Sequence, residues 1–105
     1  MEKWLYIVHS VCAKPEKEAE FQEWYDNVHV TDLLKAPGFV RGTRYINREP
    51  NQVQGRYLAI YEVETEDIEK TWEQYRTYID GLRAQGRLSP LIKVVARERV
   101  KQILP

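Results

Sequence analysis

His29 is the side chain whose type and position best suit acid–base chemistry in this chain of 105 residues. Histidine is the side chain whose ordinary pKa lies nearest to neutral pH. At about 100° per residue of a helix, His29 lies near Tyr25 and within reach of the Asp26 carboxylate. A carboxylate there would orient the imidazole and raise its pKa, as a general acid or base requires. The alternative is a histidine at the end of a helix that interacts with the terminal carbonyl groups.

Ring-bearing side chains on the predicted elements could bind a small aromatic compound. The chain has three Trp, seven Tyr and two Phe. Such a side chain packs against a ligand ring while its hydroxyl or indole N–H forms a hydrogen bond, so the candidates for substrate binding are Tyr6, Trp24, Tyr25 and Tyr61. Arg44 is a further candidate because a guanidinium binds a carboxylate or phenolate. The alternative for each ring is a place in the core or an interface, and for Arg44 an exposed surface.

Several other chemistries lack their residue patterns. The sequence has no glycine-rich phosphate loop, no HExxH, no zinc-type spacing of Cys and His, and no GxSxG. One cysteine cannot form an intramolecular disulfide or a cysteine-based metal cluster. We therefore expect no metal and no cofactor, and a ligand that is aromatic or apolar.

Length and charge restrict the remaining classes of function. A chain of 105 residues is the usual size of a single domain, here predicted over 1–105. Sixteen Lys and Arg balance sixteen Asp and Glu, which disfavours nucleic acid and anionic membranes as partners. The apolar run over 4–8 is too short for a membrane span or a signal peptide. We expect a cytoplasmic protein.

Hydrophobic spacing predicts four strands and two helices. Runs of β-branched and aromatic residues bounded by turns are typical of strands, and apolar residues at intervals of three and four are typical of amphipathic helices. The predicted order is a strand over 4–11, a helix over 15–29 with a short second piece to 34, strands over 39–46 and 57–63, a helix over 65–86 and a strand over about 92–103. A polar turn is expected over 49–55.

Some boundaries depend on single residues. Thr31 and Asp32 can cap the short helical piece, and Thr65 can cap the second long helix, which Gly86 ends. The last strand alternates imperfectly, so a helix through 97–101 is its alternative. The charge-dense segment 97–101 is expected to be a solvated face.

The order of elements predicts a ferredoxin-like βαββαβ fold of the α+β class. Its two helices would pack on one face of a four-stranded antiparallel sheet. Both faces of the first and third strands are apolar, so the second face needs a cover other than water. We expect a homodimer in which a second copy covers it.

The stretch from Glu20 to His29, followed by Pro37-Gly38-Phe39 and Arg44-Tyr45, resembles the EthD-type branch of the dimeric α+β barrel superfamily. The matching residues in the helix are Phe21, Trp24, Tyr25 and His29. The resemblance implies that two ferredoxin-like subunits pack sheet to sheet, each with a pocket between its sheet and its helices. It also implies a role near the pocket for His29.

Relatives of this type include enzymes that isomerise lactones, cyclise or dehydrate polyketides, or oxidise anthrone-type aromatics without a metal. The resemblance therefore favours a cofactor-free isomerase, cyclase, dehydratase or oxygenase that acts on a small aromatic or polyketide-like compound, with His29 as acid or base. One alternative is a non-catalytic protein that binds a ligand or a partner in the same pocket. A further alternative is a relative of haem-binding monooxygenases with His29 as the ligand.

Overall fold

The computed structural model describes residues 1–51 and 55–105, in which four strands form one antiparallel sheet. The order in the sheet is β2–β3–β1–β4, with β1 at Glu2–Cys12, β2 at Phe39–Ile46, β3 at Tyr57–Thr65 and β4 at Ile92–Lys101. The fold is ferredoxin-like, as predicted. The turn expected over 49–55 includes residues 52–54, which lie outside the described residues.

Two helical stretches connect the strands. The first helix follows a short 3-10 turn, Pro15–Lys17, and consists of an α segment at Glu18–Trp24, a π segment at Tyr25–His29 and an α segment at Val30–Leu33. The second helix is Ile68–Ala84. Within the described residues, no helix has the length and apolar character needed to cross a bilayer.

Alternation along the central strands brings large rings onto the sheet face that the helices cover. Tyr6 of β1 lies 5.5 Å from Trp72 and 5.4 Å from Tyr75 of the second helix, measured between ring centroids. Phe21 of the first helix lies 5.8 Å from Tyr57 of β3. All five rings are buried. The core therefore lies between this sheet face and the two helices. Burial of its apolar area is the main contribution to stability.

The opposite sheet face has no helix over it in the described part of the chain. Ile7 of β1 and Ile60 of β3 are cross-strand partners there and are only partly buried, and Tyr45 of β2 is 52% exposed. The same face carries His9, whose ring contacts the Glu98 carboxylate of β4. That a second copy covers this face stays a prediction.

The two predicted helix caps are wrong. Thr31 and Asp32 lie inside a continuous first helix, and no side chain caps its last segment. Thr65 ends β3 instead, and its hydroxyl oxygen accepts from the Asp67 N–H at 3.0 Å. Asp67 is the cap of the second helix, because its carboxylate accepts from the Lys70 N–H at 3.2 Å. The first error arose because the helix continues through His29 without a break, and the second because Asp67, two residues after Thr65, begins the second helix.

The last element is the strand β4, so the alternative helix through 97–101 is wrong. Its imperfect alternation has a physical cause, because the pairing of β1 with β4 shifts register between His9 and Ser10. Ser10 pairs with Val94 and His9 pairs with Ala96, so one extra residue, Val95, is inserted. Such a bulge turns every later side chain to the other face of the sheet. Arg97 consequently pairs with Val8 on the face that the helices cover.

Candidate active site

The π segment in the first helix determines how the rings around His29 are arranged. In a regular α-helix, residues five apart are rotated by about 140° from each other. Here the Val30 N–H donates to the carbonyl oxygen of Tyr25, five residues earlier, which widens the turn. Trp24 and His29 thereby come to the same side of the helix and stack, with centroids 4.5 Å apart and planes at 21°. Single π turns of this kind are frequent at functional sites.

The His29 imidazole is enclosed by rings. The Tyr25 ring contacts it edge to face, with ring centroids 5.1 Å apart, whereas Trp24 is stacked on it. The histidine is 8% exposed, and its Nδ1 is buried without a hydrogen-bond partner. A buried polar atom without a partner is uncommon in folded proteins.

Burial lowers the pKa of His29 from 6.5 to about 4. Loss of hydration is the largest cause, the charge of Asp32 opposes it, and the charge of Arg44 adds to it. The imidazole is therefore neutral at neutral pH. A neutral imidazole can accept a proton or a hydrogen bond from a ligand, but it cannot act as a general acid, which requires the protonated imidazolium.

His29 faces a cavity of about 320 Å³ between the sheet and the helices, which we call the helix-side cavity. Its lining is mostly apolar and aromatic, as binding sites for small organic molecules are. The lining residues are Tyr6, Val8, Trp24, His29, Leu33, Tyr75, Ile79, Arg83, Leu88, Ile92, Val94 and Arg97. Tyr75 is a hydrogen-bond donor at neutral pH, because burial raises the pKa of its hydroxyl above the ordinary value.

The segment after the second helix closes one side of the helix-side cavity. Asp32 is buried, and its two carboxylate oxygens accept from Nε and Nη2 of Arg87 at 2.6 and 3.1 Å. The Trp24 indole N–H donates to the carbonyl oxygen of Arg87 at 3.0 Å. Leu88, the next residue, lines the cavity. These contacts hold the closing segment against the part of the first helix that carries His29.

Another depression of about 310 Å³ lies at the other end of the sheet, between β1, β3 and β4. Its charged lining residues carry both signs, including Lys3, Glu64 and Lys101. Within the residues described, it contains no histidine or tyrosine. The helix-side cavity therefore has the stronger claim to chemistry. No group of three His, Cys, Asp or Glu side chains is placed to hold a metal ion in residues 1–51 and 55–105.

The structure brings three of the six predicted site residues to the helix-side cavity. His29, Tyr6 and Trp24 line it, whereas Tyr25, Arg44 and Tyr61 do not. Tyr61 is fully buried in the core, 6.2 Å from the Tyr6 ring. Tyr25 is equally buried and supports the imidazole from behind.

Asp26 does not orient His29, contrary to the expectation from its spacing. Its carboxylate accepts instead from Nη1 of Arg44 at 2.7 Å. The Arg44 guanidinium lies over the Tyr25 ring, 4.1 Å from its centroid, in a cation–π contact. Arg44 is thus a support of the first helix in this structure. The helix-end interpretation of His29 is also wrong, because the helix continues to Leu33.

Tyr75 and Arg97 line the helix-side cavity, although the sequence did not predict them as site residues. Tyr75 lies on the second helix, and its ring stacks on Phe39 with centroids 5.2 Å apart. Arg97 belonged to a segment expected to be a solvated face. No sequence signal locates the bulge at Val95 that turns Arg97 toward the cavity.

The amino-acid sequence matches no protein-family model and no curated protein. Solved structures do match. A protein assigned as an antibiotic biosynthesis monooxygenase from Bordetella bronchiseptica has 15% identity and a TM-score of 0.69, over 99% of this chain and 100% of that one. An EthD family protein from Bacillus halodurans has 15% identity and a TM-score of 0.56, over 98% and 100%.

The cofactor-independent oxygenase SnoaB from Streptomyces nogalater is also similar, with 17% identity and a TM-score of 0.53, over 100% of this chain and 95% of that one. At these identities the likeness concerns the fold. The resemblance predicted from the sequence is confirmed at that level: the chain has the ferredoxin-like α+β fold of an EthD family protein.

Proposed function

We propose that the protein is a cofactor-independent enzyme that removes a proton from a small aromatic or polyketide-like compound in the helix-side cavity. The observation that carries the proposal is a neutral, buried imidazole in the wall of a cavity lined by rings. Its Nδ1 is buried and has no hydrogen-bond partner in the protein. The similarity of fold to SnoaB, a cofactor-independent oxygenase, supports the proposal.

The proposed step is the breaking of an acidic C–H bond that is conjugated with a ring ketone, either next to the carbonyl group or, as in anthrone, across the ring from it. The electron pair of that bond is delocalised onto the carbonyl oxygen as an enolate, and the proton passes to the His29 imidazole. Burial makes the imidazole a weak base. An enolate formed beside it supplies the opposite charge, which favours the imidazolium and raises its pKa in the product of the step. Tyrosine hydroxyls of the lining can donate to the enolate oxygen.

Isomerisation, cyclisation, dehydration and oxidation by dioxygen of such compounds can all begin with this proton removal. Proton removal is therefore the step that we propose, and the structure of the substrate determines which bonds form or break afterwards. A test should measure proton removal itself rather than any one product.

Hydrogen–deuterium exchange of anthrone, followed by NMR in D₂O without dioxygen, measures that step. Anthrone is a ring ketone whose C–H is acidified by two flanking rings. The wild-type protein should accelerate exchange by about 100-fold or more, the usual contribution of a positioned base. His29→Phe should abolish the acceleration while keeping an aromatic ring against Trp24. His9→Gln is the matched control, because His9 lies on the opposite sheet face and contacts Glu98.

The specific observation that favours the alternative, a non-catalytic ligand-binding protein, is the pKa of about 4. Such an imidazole accepts a hydrogen bond from a phenol without taking its proton. Calorimetric binding of naphthamide, a neutral two-ring compound, combined with no acceleration of anthrone exchange, would establish that alternative and refute the enzyme. Visible absorbance after addition of haem tests the remaining hypothesis of a haem protein.

A further inference from the structure

We infer that Arg97 binds an anionic substituent of the compound in the helix-side cavity, so that the preferred ligands are aromatic carboxylic acids. This inference rests on the proposed function for the choice of cavity and adds the class of compound. It assigns a specificity role to a residue outside the aromatic motif of the first helix.

The lining of the helix-side cavity is asymmetric in charge. Arg83 and Arg97 contribute to it, and the described residues place no Asp or Glu in it. His29 adds no charge, because its pKa is about 4. A cavity with apolar walls and cations at its surface attracts an anion more strongly than the neutral chain as a whole does, since apolar walls screen the charge poorly.

The two arginines differ in whether the protein already neutralises them. Nη1 of Arg83 lies 2.6 Å from Oδ1 of Asp80. Among the ion pairs of residues 1–51 and 55–105, none includes Arg97. The nearby Arg99 stacks its guanidinium over Trp72 at 4.8 Å, so it too is engaged. Arg97 is therefore the cation of the cavity whose charge is available to a ligand.

The position of Arg97 fits one particular orientation of a ligand. Arg97 is exposed, whereas Tyr6 and Val8 beside it on β1 are buried. A ring would lie against these residues and Trp24, and its substituent would point outward to the guanidinium. The charge of Arg97 also acts on Tyr75, where it opposes the larger effect of burial on the pKa of the hydroxyl. A planar guanidinium binds a carboxylate through two parallel hydrogen bonds, which favours this group over a neutral one.

Calorimetry with naphthoate and naphthamide tests the inference. The two probes have the same rings and differ in one group, a carboxylate in one and an amide in the other. The wild-type protein should bind naphthoate more tightly, and added salt should weaken only naphthoate binding. Arg97→Gln should weaken naphthoate binding by about tenfold, equivalent to about 1.4 kcal/mol, and leave naphthamide binding unchanged.

Arg99→Gln is the matched control, because it removes the same charge from the same strand and the same sheet face outside the cavity lining. It should leave the binding of both probes unchanged. The inference is refuted if Arg97→Gln weakens both probes equally or neither, or if Arg99→Gln reproduces its effect. Persistent naphthamide binding with His29-dependent anthrone exchange would then leave the proposed function standing. Failure of the wild-type protein to bind either probe would refute the inference, and anthrone exchange would then decide the proposed function by itself.

Discussion

Replacing His29 by Phe should make the protein less sensitive to acid. A group whose pKa is lowered by folding binds its proton more weakly in the folded state than in the unfolded state. Above the ordinary pKa of 6.5 both states are neutral and the group has no effect on stability. As the pH falls below 6.5, the unfolded state takes up the proton first, so the free energy of unfolding decreases. The decrease ends below about 4, where both states are protonated.

The magnitude follows from the two pKa values. Folding shifts the His29 pKa from 6.5 to about 4, and each unit corresponds to about 1.4 kcal/mol. Between about pH 7 and about pH 5, protonation of His29 in the unfolded state lowers the free energy of unfolding by about 2 kcal/mol. The full loss at lower pH is about 3 kcal/mol. For a domain with a stability of about 5–15 kcal/mol, this is a measurable fraction.

Urea unfolding of the wild-type and His29→Phe proteins at both pH values measures the difference. His29→Phe should lose about 2 kcal/mol less than the wild type on acidification, because every other titratable group is present in both proteins and cancels. NMR of the two histidines gives an independent check, since His29 should titrate near pH 4. An NMR midpoint at or above 6.5, or equal acid sensitivity of the two proteins, would show that the imidazole is not held neutral by burial.

Three further predictions concern the scaffold. Light scattering should give twice the chain mass of 12.5 kDa, and Ile7→Glu on the uncovered sheet face should give a monomer; a monomeric wild-type protein would contradict the dimer. Asp32→Asn should lower the melting temperature and weaken naphthamide binding more than Asp26→Asn does. The buried Asp32 holds the segment that closes the cavity, whereas the Asp26 side chain is 58% exposed. Equal effects of the two substitutions would argue against that closure. Urea titration of Gly38→Ala should show a free energy of unfolding lower by about 1–3 kcal/mol, because the φ of Gly38 is +84° and a Cβ would lie 3.1 Å from the Glu64 carbonyl oxygen. Gly81→Ala in the second helix should not destabilise the protein.

The amino-acid sequence by itself determined the elements and their order. The apolar run from Tyr57 to Val63 and the stripe through Trp72, Tyr75 and Leu82 report local periodicity, which depends on backbone geometry alone. The prediction that Gly86 ends the second helix is confirmed. Its φ is +72°, a conformation that glycine adopts readily. The aromatic motif of the first helix also indicated the fold, which the comparison of structures confirms.

Tertiary structure decided what the periodicity could not. A π turn rotates His29 onto Trp24, and a bulge at Val95 turns Arg97 toward the helices. Each device adds one residue to a regular repeat, and whether it forms depends on packing between elements far apart in the chain. The partners of Asp26 and Asp32 were decided in the same way, because their arginines, Arg44 and Arg87, arrive from other elements. The sequence therefore located the histidine, and the assembled fold determined which side chains surround it and which charge a ligand meets.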